Sequence, residues 1–274
     1  MDGAFFISIA GCLDFGIGSM MMLNFSGKKI MVTGASRGIG CAVAKAFAET
    51  GGIVAVNFKD NQKSASETLN ALDGEGHVLI KADVSIPEEA RRAVEESVSR
   101  LNGLDIVVNN AGIFEQHPVG SVDFDEWCLA WQKTIGVNLI GPANICYLAA
   151  QHMMQSGGGR IVNISSRGAF RGEPDSPAYG ASKAGVNAFS QSLAVALAPH
   201  NIFIGVVAPG FVETDMAANI LASPAGDAIR AQSPLGRVAR PEEIAGAVLF
   251  LASDGAEFTT GTIIDVNGAS YLRS

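Results

Sequence analysis

With 274 residues, 48% of them hydrophobic and 17% charged, the chain has enough apolar material for one large α/β core and too much for intrinsic disorder. Its 19 basic and 27 acidic residues leave a net charge of −8, which disfavours nucleic acid or an anionic membrane surface as the main partner. The four cysteines, Cys12, Cys41, Cys128 and Cys146, show neither C-x-x-C spacing nor pairing with the four histidines, so free thiols in a reducing cytoplasm are expected and no metal site.

The amino-terminal stretch differs from the rest. From Gly3 to Phe25 the only charge is Asp14, and the start lacks the bases of a signal peptide. Several glycines and Asp14 weaken a membrane-span reading. Residues 1–23 therefore read as an extension or an upstream start, with a peripheral membrane or interface role as the alternative, and Met20, Met21 and Met22 stand just before the first convincing strand. Residues 24–274 read as one domain.

Seven short apolar runs follow: 28–33, 52–58, 77–82, 105–110, 160–165, 202–208 and 262–266. They are continuous in Val and Ile with little alternation, as strands covered on both faces require. Helical patterns lie between them. Ser85 and Glu88 have capping-box spacing ahead of Ala90, Val94, Val98 and Leu101 on one face. Ala65, Leu69 and Leu72 form a second stripe that stops at Gly74, and a last helix runs from Pro241 to Asp254-Gly255. Regular β-α alternation without a linker predicts a single doubly wound Rossmann-type α/β domain with a seven-stranded, mostly parallel sheet.

Such a sheet binds ligands beyond the carboxyl ends of its strands. After the first run stands "TGASRGIG", in which Gly34, Gly38 and Gly40, with Ser36, Arg37 and Ile39 between them, let the backbone turn sharply and approach a pyrophosphate at a helix start. After the second run Lys59, together with Arg37, suits a 2′-phosphate, so NADP(H) is preferred; Asp60 is the contrary sign that keeps NAD(H) as the alternative. Asp83 could accept from an adenine amino group or close a turn. "NNAG", with Asn110, Ala111 and Gly112, suits backbone held beside a cofactor, or a plain turn.

In "SPAYGASKAG" Ser176 and Pro177 open a helix, so Tyr179 and Lys183, four apart, share a face. A phenol with a pKa of about 10 is a poor acid at neutral pH, and a lysine ammonium beside it, with a cationic nicotinamide, would lower that value. Tyr179 then becomes a general acid, and Ser166, thirteen residues earlier at a strand end, could hold a substrate carbonyl.

Residues 24–274 resemble the short-chain dehydrogenase/reductase family, whose motif order is matched by "TGASRGIG", "NNAG", "GVNLIG", "NISS", "YGASK", "PGFVETDM" and "TGTIIDVNG". The resemblance implies that Tyr179 transfers the hydroxyl proton, Lys183 binds the nicotinamide ribose, and Ser166 rather than Ser165 orients the carbonyl. It implies that Asn138 holds a water leading to Lys183, that Asp83 and Val84 lie near adenine, and that Asn110 lies against the cofactor. Val212 and Thr214, after Pro209-Gly210, would face the nicotinamide amide. "DVNGAS" departs from the D-G-G of many relatives, with little consequence expected except at a subunit contact. The family is usually dimeric or tetrameric through the Tyr179 helix, so a homotetramer or homodimer is expected.

The substrate should be a small carbonyl or alcohol enclosed by a mobile segment, 213–236, with carbonyl reduction as the favoured direction. "PGFVETDM" resembles the 3-oxoacyl-(acyl-carrier-protein) reductase branch. Arg167 and Arg171 could steer an anion such as phosphopantetheine, or simply pair with Glu173 or Asp175. A broad carbonyl reductase and a sugar or polyol dehydrogenase fit the same residues. So, remotely, does a nucleotide-binding scaffold without catalysis. Trp127 and Trp131, one turn apart, read as core or interface packing.

Overall fold

A computed structural model describes residues 23–273, so the expectation for the extension lies outside the described residues, apart from Leu23 at its end. The seven runs become β1 (Lys29–Val32), β2 (Ile53–Phe58), β3 (Val78–Lys81), β4 (Ile106–Asn109), β5 (Gly159–Ile164), β6 (Ile202–Pro209) and β7 (Ile263–Val266). They form one sheet in the order β3-β2-β1-β4-β5-β6-β7, with every neighbouring pair parallel. The sheet is thus wholly parallel rather than mostly so, because a helix-bearing crossover returns the chain to the same edge before each strand begins.

The helices are α1 (Gly38–Glu49), α2 (Gln62–Asn70), α3 (Pro87–Leu101), α4 (Phe124–Ile135), α5 (Gly141–Ser156), α6 (Pro177–Leu197), α7 (Asp215–Ala222), α8 (Ala225–Arg230) and α9 (Pro241–Ala252), with a π turn, Gly136–Ile140, joining α4 to α5. None of the described helices is long and apolar enough to cross a membrane. On one face Val43, Phe47, Val248 and Leu249 of α1 and α9 pack against Ile30, Val32, Val54 and Val56. On the other, Ala90, Val94, Ile145 and Ala149 of α3 and α5 pack against Met31, Ala55 and Val107. Alternate residues of one strand feed both layers, which is why the strands carry no polar alternation.

Three helix ends differ from the expected ones. Ser85 caps nothing: Pro87 fixes the start of α3 with Ile86 at the cap position, and the Ser85 hydroxyl donates to Asp83 Oδ1 at 2.6 Å. Helix α2 stops at Asn70, Leu72 tucks under by a turn, and Gly74 follows with φ +93°. Ser176 does stand at the cap position of α6, but its hydroxyl is buried without a partner.

Candidate active site

The strand order reverses between β1 and β4, and the segments leaving these two strands are strapped together there. Thr33 Oγ1 accepts from the amides of Asn110 and Ala111, both at 3.0 Å, and Asn110 Nδ2 donates to the carbonyls of Thr33 and Gly34, also at 3.0 Å. Gly34 has φ +61°, and a Cβ on it would stand 2.8 Å from Ala111 Cα. A Cβ on Gly40 would stand 2.5 Å from both Gly34 O and Asn110 Nδ2. Ser36 O accepts from Thr68 Oγ1 at 3.1 Å, Ile39 packs on the core, and Arg37 is exposed. Arg37 occupies the cap position of α1 without a side-chain cap, which leaves first-turn amides available beyond the end of β1. This side-chain-free cradle beneath an uncapped helix start fits the pyrophosphate of a dinucleotide.

At the far rim the expected pair of cations is modified. Lys59 Nζ lies 2.8 Å from Asp83 Oδ2, while Asp83 Oδ1 accepts from Ser85 N at 3.0 Å and from Ser85 Oγ at 2.6 Å. The hydrogen bond to Asp83 holds the Lys59 ammonium above its ordinary pKa. Burial pulls Asp83 upward, but Lys59 and Ser85 outweigh it and keep the carboxyl below its usual range. Asp83 thus meets three donors of its own chain, and of these two cations Lys59 is ion-paired while Arg37, among the described residues, is not. Phe58, where an acid could have stood, is core. Val84 is also buried, its carbonyl against Gly141.

Tyr179 lies in the first turn of α6 with Lys183 one turn further on. Lys183, 4% exposed, donates from Nζ to Ile164 O at 2.8 Å and lies 5.8 Å from the Tyr179 ring centroid. A Cβ on Gly112 would stand 3.6 Å from that Nζ and 3.4 Å from Asn138 Oδ1, so these three positions meet at one point. Asn138 sits in the π turn, accepts from Ile113 N at 2.8 Å, and donates to Ile113 O at 2.9 Å and Ser182 Oγ at 3.3 Å. Its amide is engaged there, so a link to Lys183 does not come directly from this side chain. Ser165 is buried and bonds to Lys183 O, whereas Ser166 is partly exposed and accepts from Gly168 N at 3.0 Å. An edge-on ring, Phe114, stands 4.9 Å from that of Tyr179; nothing in the sequence marked it.

The expected acidification of Tyr179 by Lys183 is not what the electrostatics give. Burial pushes the phenol upward, a hydrogen bond with Ser166 pulls it back, and Glu173 adds a further upward push. Burial also lowers Lys183 to about 8, so it still carries its charge at neutrality but gives it up just above, and Nζ is turned toward a carbonyl.

The segment after β6 closes the cleft from the other side. Gly210 N donates to Val266 O at 3.0 Å, Val212 bridges to Ala239, and Thr214 Cγ2 lies 3.3 Å from where a Cβ on Gly38 would stand. Arg167, 5% exposed, donates to Ser270 Oγ and Gln232 Oε1, each at 2.7 Å, with its guanidinium 4.8 Å from the Phe211 ring centroid. Arg171 reaches the same Gln232 oxygen at 3.4 Å. Among the described residues neither arginine forms an ion pair with Glu173 or Asp175, which removes the simple pairing alternative. The departure at "DVNGAS" has a local consequence: Asn267 packs on Gly210 and donates to Tyr271 O at 2.9 Å, and Tyr271 Oη donates to Phe170 O at 3.1 Å. No group of three or more potential metal ligands occurs among the described residues.

The family model described as enoyl-(acyl carrier protein) reductase matches residues 34–269. The chain is 37% identical to 3-oxoacyl-(acyl-carrier-protein) reductase FabG of Aquifex aeolicus, over 92% of this chain and 100% of that one. It is 36% identical to cis-4-hydroxycyclohexanecarboxylate dehydrogenase of Sinomonas cyclohexanicum, over 89% and 96%. A solved short chain dehydrogenase from Burkholderia cenocepacia, in complex with NADP, superposes with a TM-score of 0.82 at 31% identity, covering 90% of this chain and 99% of that one. With a family model spanning most of its length, and relatives matched nearly end to end, the chain belongs to the short-chain dehydrogenase/reductase family of oxidoreductases.

Proposed function

We propose that the chain is an NADP(H)-dependent reductase that turns a 3-oxoacyl thioester or similar ketone into an alcohol. The observation that carries this reading is the meeting of Tyr179, Ser166, Lys183 and Gly112 at the inner end of the glycine-lined cleft. The reduced nicotinamide, when bound, supplies the hydride that the carbonyl carbon accepts. Gly34, Ser36, Gly38, Ile39 and Gly40 would hold its pyrophosphate, Arg37 and Lys59 the 2′-phosphate, and Asp83 and Val84 the adenine end. Asn110, Ala111 and Gly112 would line the wall, with Pro209, Gly210, Val212 and Thr214 beside the nicotinamide amide. Tyr179 gives its phenolic proton to the carbonyl oxygen while Ser166 donates a hydrogen bond to that oxygen, and Lys183, poised near pH 8, returns a proton to the phenolate. Asn138 holds the Ile113 strap and Ser182 around this point.

Arg167 and Arg171 support an anionic or thioester-linked substrate, because neither is neutralised by an ion pair with Glu173 or Asp175. A second reading, a secondary-alcohol dehydrogenase for a ring or polyol substrate, is favoured by the relative named for cis-4-hydroxycyclohexanecarboxylate. Residues 24–274 would form one cytoplasmic catalytic domain, assembled as a homotetramer or homodimer through α6. NADPH and NADH oxidation against an acetoacetyl thioester, a diketone, a quinone, a keto-sugar and 4-oxocyclohexanecarboxylate tests it. Preference for NADPH with the thioester is expected. Turnover confined to the sugar or the ring ketone would replace the first reading by the second, and no turnover of any would leave a scaffold.

A further inference from the structure

A helix needs acceptors for its first amides, and α6 does not find one in Ser176, whose hydroxyl is buried and unpartnered. Pro177 brings no N–H. The amide that follows, Ala178 N, donates to Nε2 of His117 at 3.1 Å, a residue 61 positions upstream in the loop after β4. The His117 ring is 1% exposed, and its Nδ1 lies 2.9 Å from Glu115 O. A carbonyl only accepts, so Nδ1 carries the hydrogen and Nε2 offers its lone pair: the network admits one neutral tautomer. The His117 amide also donates to Asp175 O at 2.7 Å, and the ring meets Trp127 edge-on at 5.5 Å. Loop and helix start are stitched twice, one residue before Tyr179.

We propose that His117 is a positioning residue, the side-chain cap that sets the first turn of α6 and so the place of the Tyr179 phenol, and that its protonation uncaps this turn and switches turnover off in acid. Protonation would turn an N–H toward the Ala178 N–H at the positive end of the helix dipole. None of the charged side chains nearby hydrogen-bonds to the ring. Glu115, in its own loop, is ion-paired with Lys133 of α4, and Asp123 and Glu126 cap the start of α4 beside Trp127. Asp175 touches His117 through its carbonyl, and Glu173 uses its own carbonyl to accept from Ser176 N.

The inference rests on Tyr179 as the proton donor, and the test separates the two. Steady-state turnover across acid to neutral pH is measured for wild type, H117Q, H117F and Y179F, with amide hydrogen exchange at residues 178–183. Gln keeps an acceptor near the Nε2 position and does not titrate, so H117Q is expected to keep neutral-pH kcat and to lose the acid fall-off. H117F is expected to lose about tenfold or more in kcat with an unchanged KM for NADPH, and to exchange faster at the start of α6. Wild-type kcat in H117F, or an unaltered acid limb in H117Q, would overturn the cap. Full activity in Y179F would overturn the proton-donor reading instead, and with it the purpose of the cap.

Discussion

Lys183 is an ammonium taken out of water, and the fold carries the cost of that choice. Its folded pKa of about 8 lies below the ordinary 10.5, so the unfolded chain binds the extra proton between those values. The fold is therefore burdened most fully below about pH 8, and the burden fades as pH rises toward 10.5. A displacement of this size corresponds to about 3 kcal/mol. Lys183→Met should gain on wild type in denaturant stability near neutrality and give up that gain at high pH, the two curves converging by up to about 3 kcal/mol; urea unfolding at both pH values reads the difference. The same variant removes a donor from Ile164 O, which offsets part of the gain at every pH. Tyr179→Phe keeps the packing of the ring against Phe114 but removes the proposed proton donor, so kcat should fall by about 10²–10⁴ while NADPH affinity holds.

The glycine turn and the "NNAG" segment act as one unit, and Gly34 is its tightest point. Ala there must adopt a left-handed φ of +61° with its Cβ 2.8 Å from Ala111 Cα. Gly34→Ala should lower stability by about 1–3 kcal/mol and weaken NADPH binding by about tenfold or more, measured by thermal unfolding and fluorescence titration. Elements of this kind are legible in a sequence because the demand is local. A left-handed turn selects glycine, and a strand covered twice selects unbroken Val and Ile. Helix starts were less legible. The Ser85–Glu88 spacing satisfied the capping pattern, yet Pro87 displaced the helix by one position and Asp83 drew the hydroxyl away. Ser176 sits where a cap belongs, but the acceptor comes from His117, and nothing local announces a partner 61 residues distant. The positions of Tyr179 and Lys183 could be read from their spacing; their proton affinities could not, because burial, set by the whole packing, outweighs the neighbour.

Across the whole molecule the residues gathered at the cleft come from the connections after β1 to β6, all leaving the same end of a parallel sheet. Arg167 joins three of the later segments, the serine loop, the stretch ending at Gln232 and the tail at Ser270, in a way that the motifs alone did not signal. The opposite end of the sheet holds only returns. One such return, the exposed turn around Gly74, Glu75 and Gly76, leads from α2 into the amino end of β3, the end opposite the one the cleft residues leave. That division makes the protein graftable on one side. A short epitope spliced between Gly74 and Glu75 should leave turnover within about twofold of the parent, whereas the same splice between Ala111 and Gly112 should abolish it, so a reporter or surface tether can be installed by internal fusion at this site.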